Sequence, residues 1–398
     1  MPALGVRPLG LLAFGAPAFG VRACGVRPLG LLAFGAPAFD VRACGVGEVR
    51  PVSVVRTAAG RPVVAGIVAV RPRAVAVGIG CLLLALAFGV LSVGGGDYPM
   101  SPADVLRTLA GGGGPAEDFV VRELRLPRVV TALVVGAALA LAGAIFQSLV
   151  RNPLGSPDLL GFTQGAATGA LLVVIAGGSS AALAGGAVLG GVVTGVVIYL
   201  LAWRGGLHGH RLVLVGIGAT AVLTGVNGYL LTRGRLMEAA RAMLWLTGSL
   251  DGRGWEDALP LLAATAVLVP VVLLGCARPL AMTEMGDDLA RGLGVRVQGL
   301  RLVLTAAAVL LASLAAAAAG PVSFVALTAP HLARRMTRTP GPNLLTAACM
   351  GAALLTGADL AAQRLFGDHQ LPVGVVTGVL GGGYLVWLLT AQRKAGRI

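Results

Sequence analysis

The chain has 398 residues, of which 56% are hydrophobic and only 12% are charged, about half the charged share of an ordinary soluble domain. A single core of this size cannot bury so much apolar surface, so the composition excludes a soluble globular protein and indicates an all-α polytopic membrane protein. The net charge of +14 comes from 30 Arg and one Lys, Lys394. Because a phosphate-binding P-loop needs a Lys inside its motif, no ATPase of that type is present. Aromatic residues are too few to stack on bases, and no run of basic residues is interleaved with them, so nucleic acid is not an expected partner.

The N-terminal region contains a tandem repeat. Residues 5–24 and 25–44 are copies that differ only at Gly20 and Asp40. Two near-identical copies indicate a recent duplication rather than a solenoid, and each apolar stretch of about 11 residues is too short to span a bilayer. We predict that residues 1–73 form a low-complexity, poorly ordered arm without a role in transport, and that residues 74–398 form the transmembrane domain.

Apolar stretches recur along the rest of the chain at the length a membrane-spanning helix requires, about 20 residues. The predicted spans are 74–93, 129–149, 159–176, 182–202, 212–232, 258–275, 301–319, 343–362 and 371–391. A shorter stretch, 321–333, carries Pro321 and Pro330 and is predicted to be a broken or half-length helix. The total is about ten transmembrane helices, which places both termini on one side. Small residues at Gly136, Ala140 and Ala144 predict a helix-packing face.

The distribution of basic residues sets the predicted orientation. With both termini inside, 22 of the 31 basic residues lie in inner segments, and 13 still do when the N-terminal arm is left out, against nine in outer segments. The positive-inside rule therefore predicts a multi-pass protein of the cytoplasmic membrane with cytoplasmic termini.

Ionisable groups are almost absent from the predicted spans, and Asp359, close in sequence to Arg364, is the one acid inside a span. Since an ion-coupled secondary transporter normally needs buried carboxylates, that alternative class is disfavoured. Uncharged polar residues recur at helical spacing in the third and fifth spans, where they either bond helices together or line a neutral pathway: Gln164, Thr168, Thr220, Thr224 and Asn227. His208 and His210 lack a third ligand nearby, so no metal or cofactor site is predicted. The reactive motifs of a membrane enzyme are also missing.

Four motifs in order carry a family resemblance. They are LRLPRVVTALVVGAALALAGAIFQSLVRNPLGSPDLLGFTQGAATGA from Leu124, WLTGSLDGRGWE from Trp245, the pair GDDLARGLGVRVQGLRLVL and GPVSFVALTAPHLAR, and ADLAAQRLFGDHQLPVGVVTGVLGG from Ala358. Together they resemble FecCD-type permeases, subunits of ABC importers for iron–siderophore complexes, haem and cobalamin. The resemblance covers about residues 74–398 and implies the type II importer architecture. It also implies a second permease, identical or paralogous, two separate ATPase subunits and an extracytoplasmic substrate-binding protein.

Two of these motifs contain predicted contact and gate residues. Pro127 is well suited to begin a helix, and the simple interpretation of the flanking arginines is interfacial anchoring. The resemblance implies instead that Arg125 and Arg128 pair with carboxylates of the binding protein, with Arg364 as a third candidate. Pro153 stops the second span, and the resemblance implies a cytoplasmic gate at Asn152, Pro153 and Leu154. A plain connecting turn is the alternative.

The polar segment between the sixth and seventh spans is the predicted coupling element. Asp287 and Asp288 are spaced to pair with Arg291 on a short helix, and Gly292 and Gly294 are suited to end it. A charged surface helix is one interpretation; the resemblance implies that the segment enters a groove of the ATPase. The coupling residues so predicted are Glu284, Gly286, Asp287, Asp288, Leu289, Ala290, Arg291 and Gly292. We expected Leu289 and Ala290 to lie on the face that enters the groove.

Overall fold

A computed structural model describes residues 54–56, 62–64, 72–96, 98–339, 341–365 and 371–394. The chain divides into two compact units, Met1–Val68 and Ala69–Ile398. In the first unit, strand β1 (Val54–Arg56) pairs antiparallel with β2 (Pro62–Val64), with Val55 opposite Val63. Pro72 and Arg73, the last residues of the predicted N-terminal arm, already belong to the first helix, Pro72–Val93. The remainder of that arm, including both repeat copies, lies outside the described residues.

The regular secondary structure of the second unit is helical in its described residues. Its first helices are α1 (Pro72–Val93), α2 (Pro102–Leu109), α3 (Pro115–Phe119), α4 (Leu126–Val150), α5 (Phe162–Ile175), α6 (Ser180–Ala202), α7 (Gly209–Arg233) and α8 (Leu236–Leu246). The others are α9 (Trp255–Pro270), α10 (Ala277–Glu284), α11 (Asp287–Gly292), α12 (Val297–Ala319), α13 (Val325–Thr337), α14 (Leu344–Arg364) and α15 (Val373–Lys394). The all-α architecture predicted from composition is therefore confirmed for this unit.

Two short π-helical segments join neighbouring helices into longer ones. Val120–Arg125 connects α3 to α4, and Val271–Cys276 connects α9 to α10. Each segment lies beside a proline. The first ends one residue before Leu126, whose amide donates to the Val121 carbonyl and which Pro127 follows. The second begins directly after Pro270, the last residue of α9. A proline has no N–H to donate, so the regular bonding pattern is interrupted there.

Seven helices of the described chain are long and apolar enough to cross a membrane. They are Pro72–Val93, Pro115–Val150, Ser180–Ala202, Gly209–Arg233, Trp255–Glu284, Val297–Ala319 and Leu344–Arg364. Shorter apolar helices cover Phe162–Ile175 and Val373–Leu388, so all nine predicted apolar ranges coincide with a helix. The half-length segment predicted at 321–333 forms α13, which begins later, at Val325. At 1.5 Å per residue α13 is about 20 Å long, less than the hydrocarbon thickness of about 30 Å.

The core of the unit lies where α4 packs against α12, α13 and α14. Close approach depends on small residues, as the sequence predicted at Gly136, Ala140 and Ala144, all three of which are buried. A side chain on Gly136 would collide with the backbone of Gly351 in α14. In lipid, such backbone-to-backbone contact provides much of the packing energy between helices.

Candidate functional site

Polar contacts gather at the two ends of the helical unit, which we name after the predicted topology. At the outer end, the Trp255 indole donates to the Arg122 carbonyl over 3.1 Å, and the Ser249 amide donates to the Ala319 carbonyl over 2.8 Å. At the inner end, the Arg151 guanidinium donates to the Thr283 carbonyl over 2.6 Å. Each end therefore joins helices that are far apart in sequence.

Arg128, at the outer end, forms ion pairs within the chain. Its Nη2 lies 2.9 Å from Oδ1 of Asp359, and its Nη1 lies 3.2 Å from Oδ1 of Asp251. The Asp359 side chain is only 2% exposed and accepts a further bond of 2.7 Å from Gln363. The guanidinium thus compensates a buried carboxylate, a role that the sequence interpretation of Arg128 as a docking residue did not include.

The other two arginines that were predicted to contact the binding protein, Arg125 and Arg364, bind backbone carbonyls. Arg125 donates to the Val93 carbonyl and Arg364 to the Leu91 carbonyl, each over 2.7 Å. Arg364 is exposed and does not pair with Asp359, although the two are close in sequence. Five residues along a helix turn a side chain by about 140°, so they lie on different faces of α14.

The inner turn follows the end of α4 at Val150. Arg151 adopts the left-handed conformation, with φ 54°, and the Asn152 side chain accepts a 2.9 Å bond from the Leu154 amide. This local bond fixes a non-helical turn of the kind that Asn favours. The Leu154 side chain is 49% exposed. The structure therefore places the three predicted gate residues together on one exposed turn.

The chain from this turn to α5 runs back into the helical unit without forming a helix. The Leu159 carbonyl accepts a 3.3 Å bond from Thr220, which lies about 16 Å along α7 from its first residue. Next to Leu159, the Asp158 carboxylate accepts bonds from the Thr163 hydroxyl and the Phe324 amide, at the starts of α5 and α13. Sequence analysis did not single out Asp158, which directly precedes the third predicted span, 159–176. Non-helical backbone at such depth is tolerated only where it is buried in protein or lines a cavity.

Asp287 anchors the predicted coupling segment to two other parts of the inner end. Its carboxylate lies 2.6 Å from Arg151 Nη2 and 2.9 Å from Arg301 Nη2. The Arg301 side chain is 9% exposed and also donates to the Leu207 carbonyl over 2.8 Å. The predicted pairs with Arg291 also form, at 4.0 Å from Asp287 and 2.6 Å from Asp288. Segment 284–294 is therefore tied to the end of α4 and the start of α12.

Three large apolar side chains of this segment are exposed. Met285, Leu289 and Leu293 recur at intervals of four residues and are 61%, 53% and 58% exposed. We call these three residues the apolar ridge. Ala290 is fully buried, so the expectation that it shares the exposed face with Leu289 was wrong. Neighbouring positions on a helix point about 100° apart, and here the chain packs the Ala290 side against itself.

Three of the five predicted pathway residues bond to one another between α5 and α7. Thr168 Oγ1 donates to Asn227 Oδ1 over 2.6 Å, and Asn227 Nδ2 donates to Gln164 Oε1 over 3.1 Å. Asn227 is buried, at 6% exposure. Thr220 bonds to backbone carbonyls, and Thr224 is exposed but donates to its own helix. Of the two roles left open, the contacts of Gln164, Thr168 and Asn227 fit helix bonding.

A cavity of about 440 Å³ opens beside the inner turn, and we call it the inner cationic cavity. One wall consists of Gln147 at the end of α4 with Arg151, Asn152 and Pro153. The facing wall consists of His331, Arg334 and Arg335 of α13. Arg334 donates to the side-chain oxygen of Gln147. The sequence named the turn but not the α13 wall, because nothing in α13 marks which neighbour its arginines face.

Comparison with known proteins places this arrangement in a family. The model of the FecCD transport family matches residues 82–391. The chain is 46% identical over 323 residues to the ferric enterobactin transport system permease protein FepG of Escherichia coli K12, covering 79% of this chain and 97% of that protein. It is 39% identical over 319 residues to the achromobactin transport system permease protein CbrC of Dickeya dadantii 3937, covering 78% and 90% of the two chains.

A solved structure gives the same relationship at the level of the fold. It is an ABC transporter assigned to the metal-chelate type, in an inward-facing conformation, and it superposes with a TM-score of 0.69 at 27% identity. The match covers 80% of this chain and 99% of that one. The helical architecture and the ordered motifs of the sequence agree with both comparisons. The chain belongs to the FecCD transport family of integral membrane permeases.

Proposed function

We propose that this chain is the transmembrane permease subunit of an ABC importer that carries a ferric siderophore or a related iron chelate into the cell. The observation that carries the proposal is the family match over residues 82–391, together with relatives named for ferric enterobactin and achromobactin transport. Nearly the full length of both relatives is matched, so the similarity extends over a whole permease rather than a shared fragment.

The energy for transport comes from a separate ATPase in this proposal. The one Lys of the chain, Lys394, stands between Arg393 and Ala395, whereas a phosphate-binding loop needs Gly before its Lys and Ser or Thr after it. The apolar ridge is evidence for the docking of such a partner. Exposed apolar side chains that lie close together and are bordered by polar residues are typical of a protein-binding surface. The segment 284–294 would transmit ATPase movement through Asp287 to α4 and α12.

A substrate-binding protein docks at the outer end in this proposal. Arg125 and Arg364 lie there, each with its guanidinium group donating to a backbone carbonyl, so this end carries positive charge. Acidic side chains of the binding protein would approach this surface, since charge complementarity directs encounter and register. Arg128 would contribute mainly by holding Asp359 and Asp251 in place.

A second permease, identical or paralogous, completes the pathway in this proposal. Helix α7 buries few of its residues within the chain, and its Leu214 and Val222 side chains are 75% and 67% exposed, which suits a face that meets lipid or another permease. The exposed turn of Asn152, Pro153 and Leu154 would form the cytoplasmic gate. The nine helices together with α13 would make ten membrane segments, with both termini in the cytoplasm as the basic residues favour.

ATP hydrolysis by separately purified components tests the proposal. The purified chain alone is expected to hydrolyse no ATP. When it is reconstituted with the ATPase and the binding protein of the same organism, hydrolysis is expected to rise on addition of the iron-loaded binding protein. Hydrolysis by the chain alone, or the same rate with an unrelated binding protein, would count against the assignment.

A further inference from the structure

The inner cationic cavity holds positive charge without a matching acid on its walls. Its seven lining residues include three arginines and no carboxylate. Arg151 is partnered by Asp287. Neither Arg334 nor Arg335 has a carboxylate within 4.0 Å in the part of the chain that the structure describes. The Glu284 carboxylate, which accepts a bond from Ser148, acts on Arg334 electrostatically without forming an ion pair within 4.0 Å.

The bonds that Arg334 and Arg335 do make are to neutral groups. Arg334 donates to the amide of Gln147, a residue only 3% exposed. The Arg335 guanidinium lies 4.6 Å from the centre of the Trp387 ring. Arg335 also bonds to the Tyr384 hydroxyl. A guanidinium has five N–H donors, so these contacts leave donors of both arginines for a ligand in the cavity that they line. Arg334 is partly buried and Arg335 is exposed, and two neighbouring cations whose direct bonds go to neutral groups are stabilised by an anion that binds between them.

An aromatic surface lies next to these charges. The His331 ring is bonded to the Tyr384 hydroxyl over 2.6 Å, and the Tyr384 and Trp387 rings lie 5.8 Å apart. Arginine and aromatic rings together suit a flat ligand that carries negative oxygens at its edge. The cavity volume of about 440 Å³ lies within the range of small-molecule sites, about 300–1,000 Å³.

We propose that the inner cationic cavity binds a multiply charged anionic iron chelate as it leaves the pathway, with Arg334 and Arg335 as its ligands. This inference rests on the proposed import function and narrows its substrate to the anionic class. The position of the cavity favours the cargo over a surface ligand, because the cavity shares Asn152 and Pro153 with the predicted gate. It also reaches inward to the buried Gln147, deeper than a docking side chain of a partner protein needs to reach.

Fluorescence of Trp387 measures binding directly. The transporter is assembled with its ATPase in zwitterionic nanodiscs, with Trp203, Trp245 and Trp255 replaced by Phe so that Trp387 alone emits. The probes are a ferric tris-catecholate, which is strongly anionic, and a ferric tris-hydroxamate, which is neutral. The anionic complex is expected to quench Trp387 saturably, with weaker binding at high salt, while the neutral complex is expected to bind at least about tenfold more weakly.

Charge removal identifies the ligands. Arg334→Gln with Arg335→Gln is expected to weaken binding of the anionic complex by about tenfold or more, equivalent to about 1.4 kcal/mol. The matched control is Arg204→Gln with Arg278→Gln, which removes the same charge from exposed positions at the inner end and is expected to leave binding unchanged. If the double variant assembles poorly, Arg335→Gln alone is used, because Arg335 is exposed and its expected loss is several-fold.

Three outcomes would overturn the inference. The first is equal quenching by both complexes, and the second is equal affinity in the parent and the Arg334/Arg335 variant. The third is a change in Trp387 emission caused by phosphatidylglycerol in the nanodisc that the anionic complex cannot displace, which would make the cavity a lipid site. Uptake by the parent transporter is scored separately. Absence of uptake rejects the import function, whereas uptake without charge-selective binding rejects only the cavity assignment.

Discussion

Replacement of Asp287 by Asn is expected to uncouple ATP hydrolysis from transport. The change keeps the size of the side chain but removes the charge that holds Arg151 at 2.6 Å and Arg301 at 2.9 Å. Arg301 is the critical partner, because its side chain is 9% exposed and would remain buried with only the Leu207 carbonyl as acceptor. Segment 284–294 would then lose its ion pairs with Arg151 and Arg301 and would keep the weaker bond from Ser148 of α4 to Glu284.

The size of the effect follows from exposure. A hydrogen bond to a charged group contributes about 1.5–3 kcal/mol, and Asp287 makes two such contacts. Since Asp287 is 25% exposed and Arg151 is 46% exposed, solvent reduces the sum to about 2–4 kcal/mol. Asp288 is the matched control, because it lies next to Asp287, is 99% exposed and pairs only with Arg291 among the described residues. Asp288→Asn is expected to cost about 0.3–0.5 kcal/mol.

The assay compares uptake with hydrolysis in proteoliposomes that contain equal amounts of each assembled transporter. Asp287→Asn is expected to keep ATPase association and hydrolysis while the number of chelates imported per ATP falls by about tenfold, a loss of about 1.4 kcal/mol of coupling. Asp288→Asn is expected to match the parent. If Asp287→Asn imports at the parental ratio, or if Asp288→Asn fails equally, Asp287 does not hold the coupling segment in the way the contacts suggest.

Further substitutions test the other contacts. Leu289→Asp places a charge on the apolar ridge and is expected to reduce co-purification of the ATPase severalfold at unchanged membrane levels; undiminished co-purification would remove the ridge from the interface. Asn227→Ala breaks the bonds between α5 and α7 and is expected to destabilise the chain by about 0.6–2 kcal/mol in thermal unfolding, whereas Thr224→Ala is expected to have little effect; equal losses would refute the distinction. Arg128→Ala leaves the Asp359 carboxylate buried without its cation and is expected to lower the free energy of unfolding by about 3–5 kcal/mol. An unchanged melting temperature would show that Arg128 does not stabilise the fold and would leave docking as its role.

The sequence predicted the helices well because hydropathy reports the main determinant of a membrane fold. Each of the nine apolar ranges coincides with a helix, and the prolines of 321–333 correctly indicated a half-length one. The late start of α5 was missed by three residues, because Leu159, Leu160 and Gly161 continue the apolar run of the predicted span, and only the bond from Thr220 to Leu159 reveals their path. Hydropathy measures where a segment is buried and carries no information about its backbone conformation.

The candidate sites were predicted only where their residues are neighbours in sequence. The pairs of Arg291 follow from helical spacing and were correct. The partner of Arg128 is 231 residues away and that of Arg334 is 187 residues away, so both depend on which helices pack together. The burial of Ala290 has the same origin, because a six-residue helix has no periodicity long enough to reveal its packed side.

Uptake into proteoliposomes is the most direct measurement of whether this chain is the permease of an ATP-driven iron-chelate importer. The vesicles contain the chain with a second permease copy or its paralogue and the ATPase, and the binding protein loaded with a radiolabelled ferric siderophore is supplied on the outer side. We expect accumulation that requires both ATP and the binding protein and that is insensitive to collapse of proton and sodium gradients. Accumulation by the chain without the ATPase, driven by an imposed ion gradient, would contradict the assignment and indicate a secondary transporter.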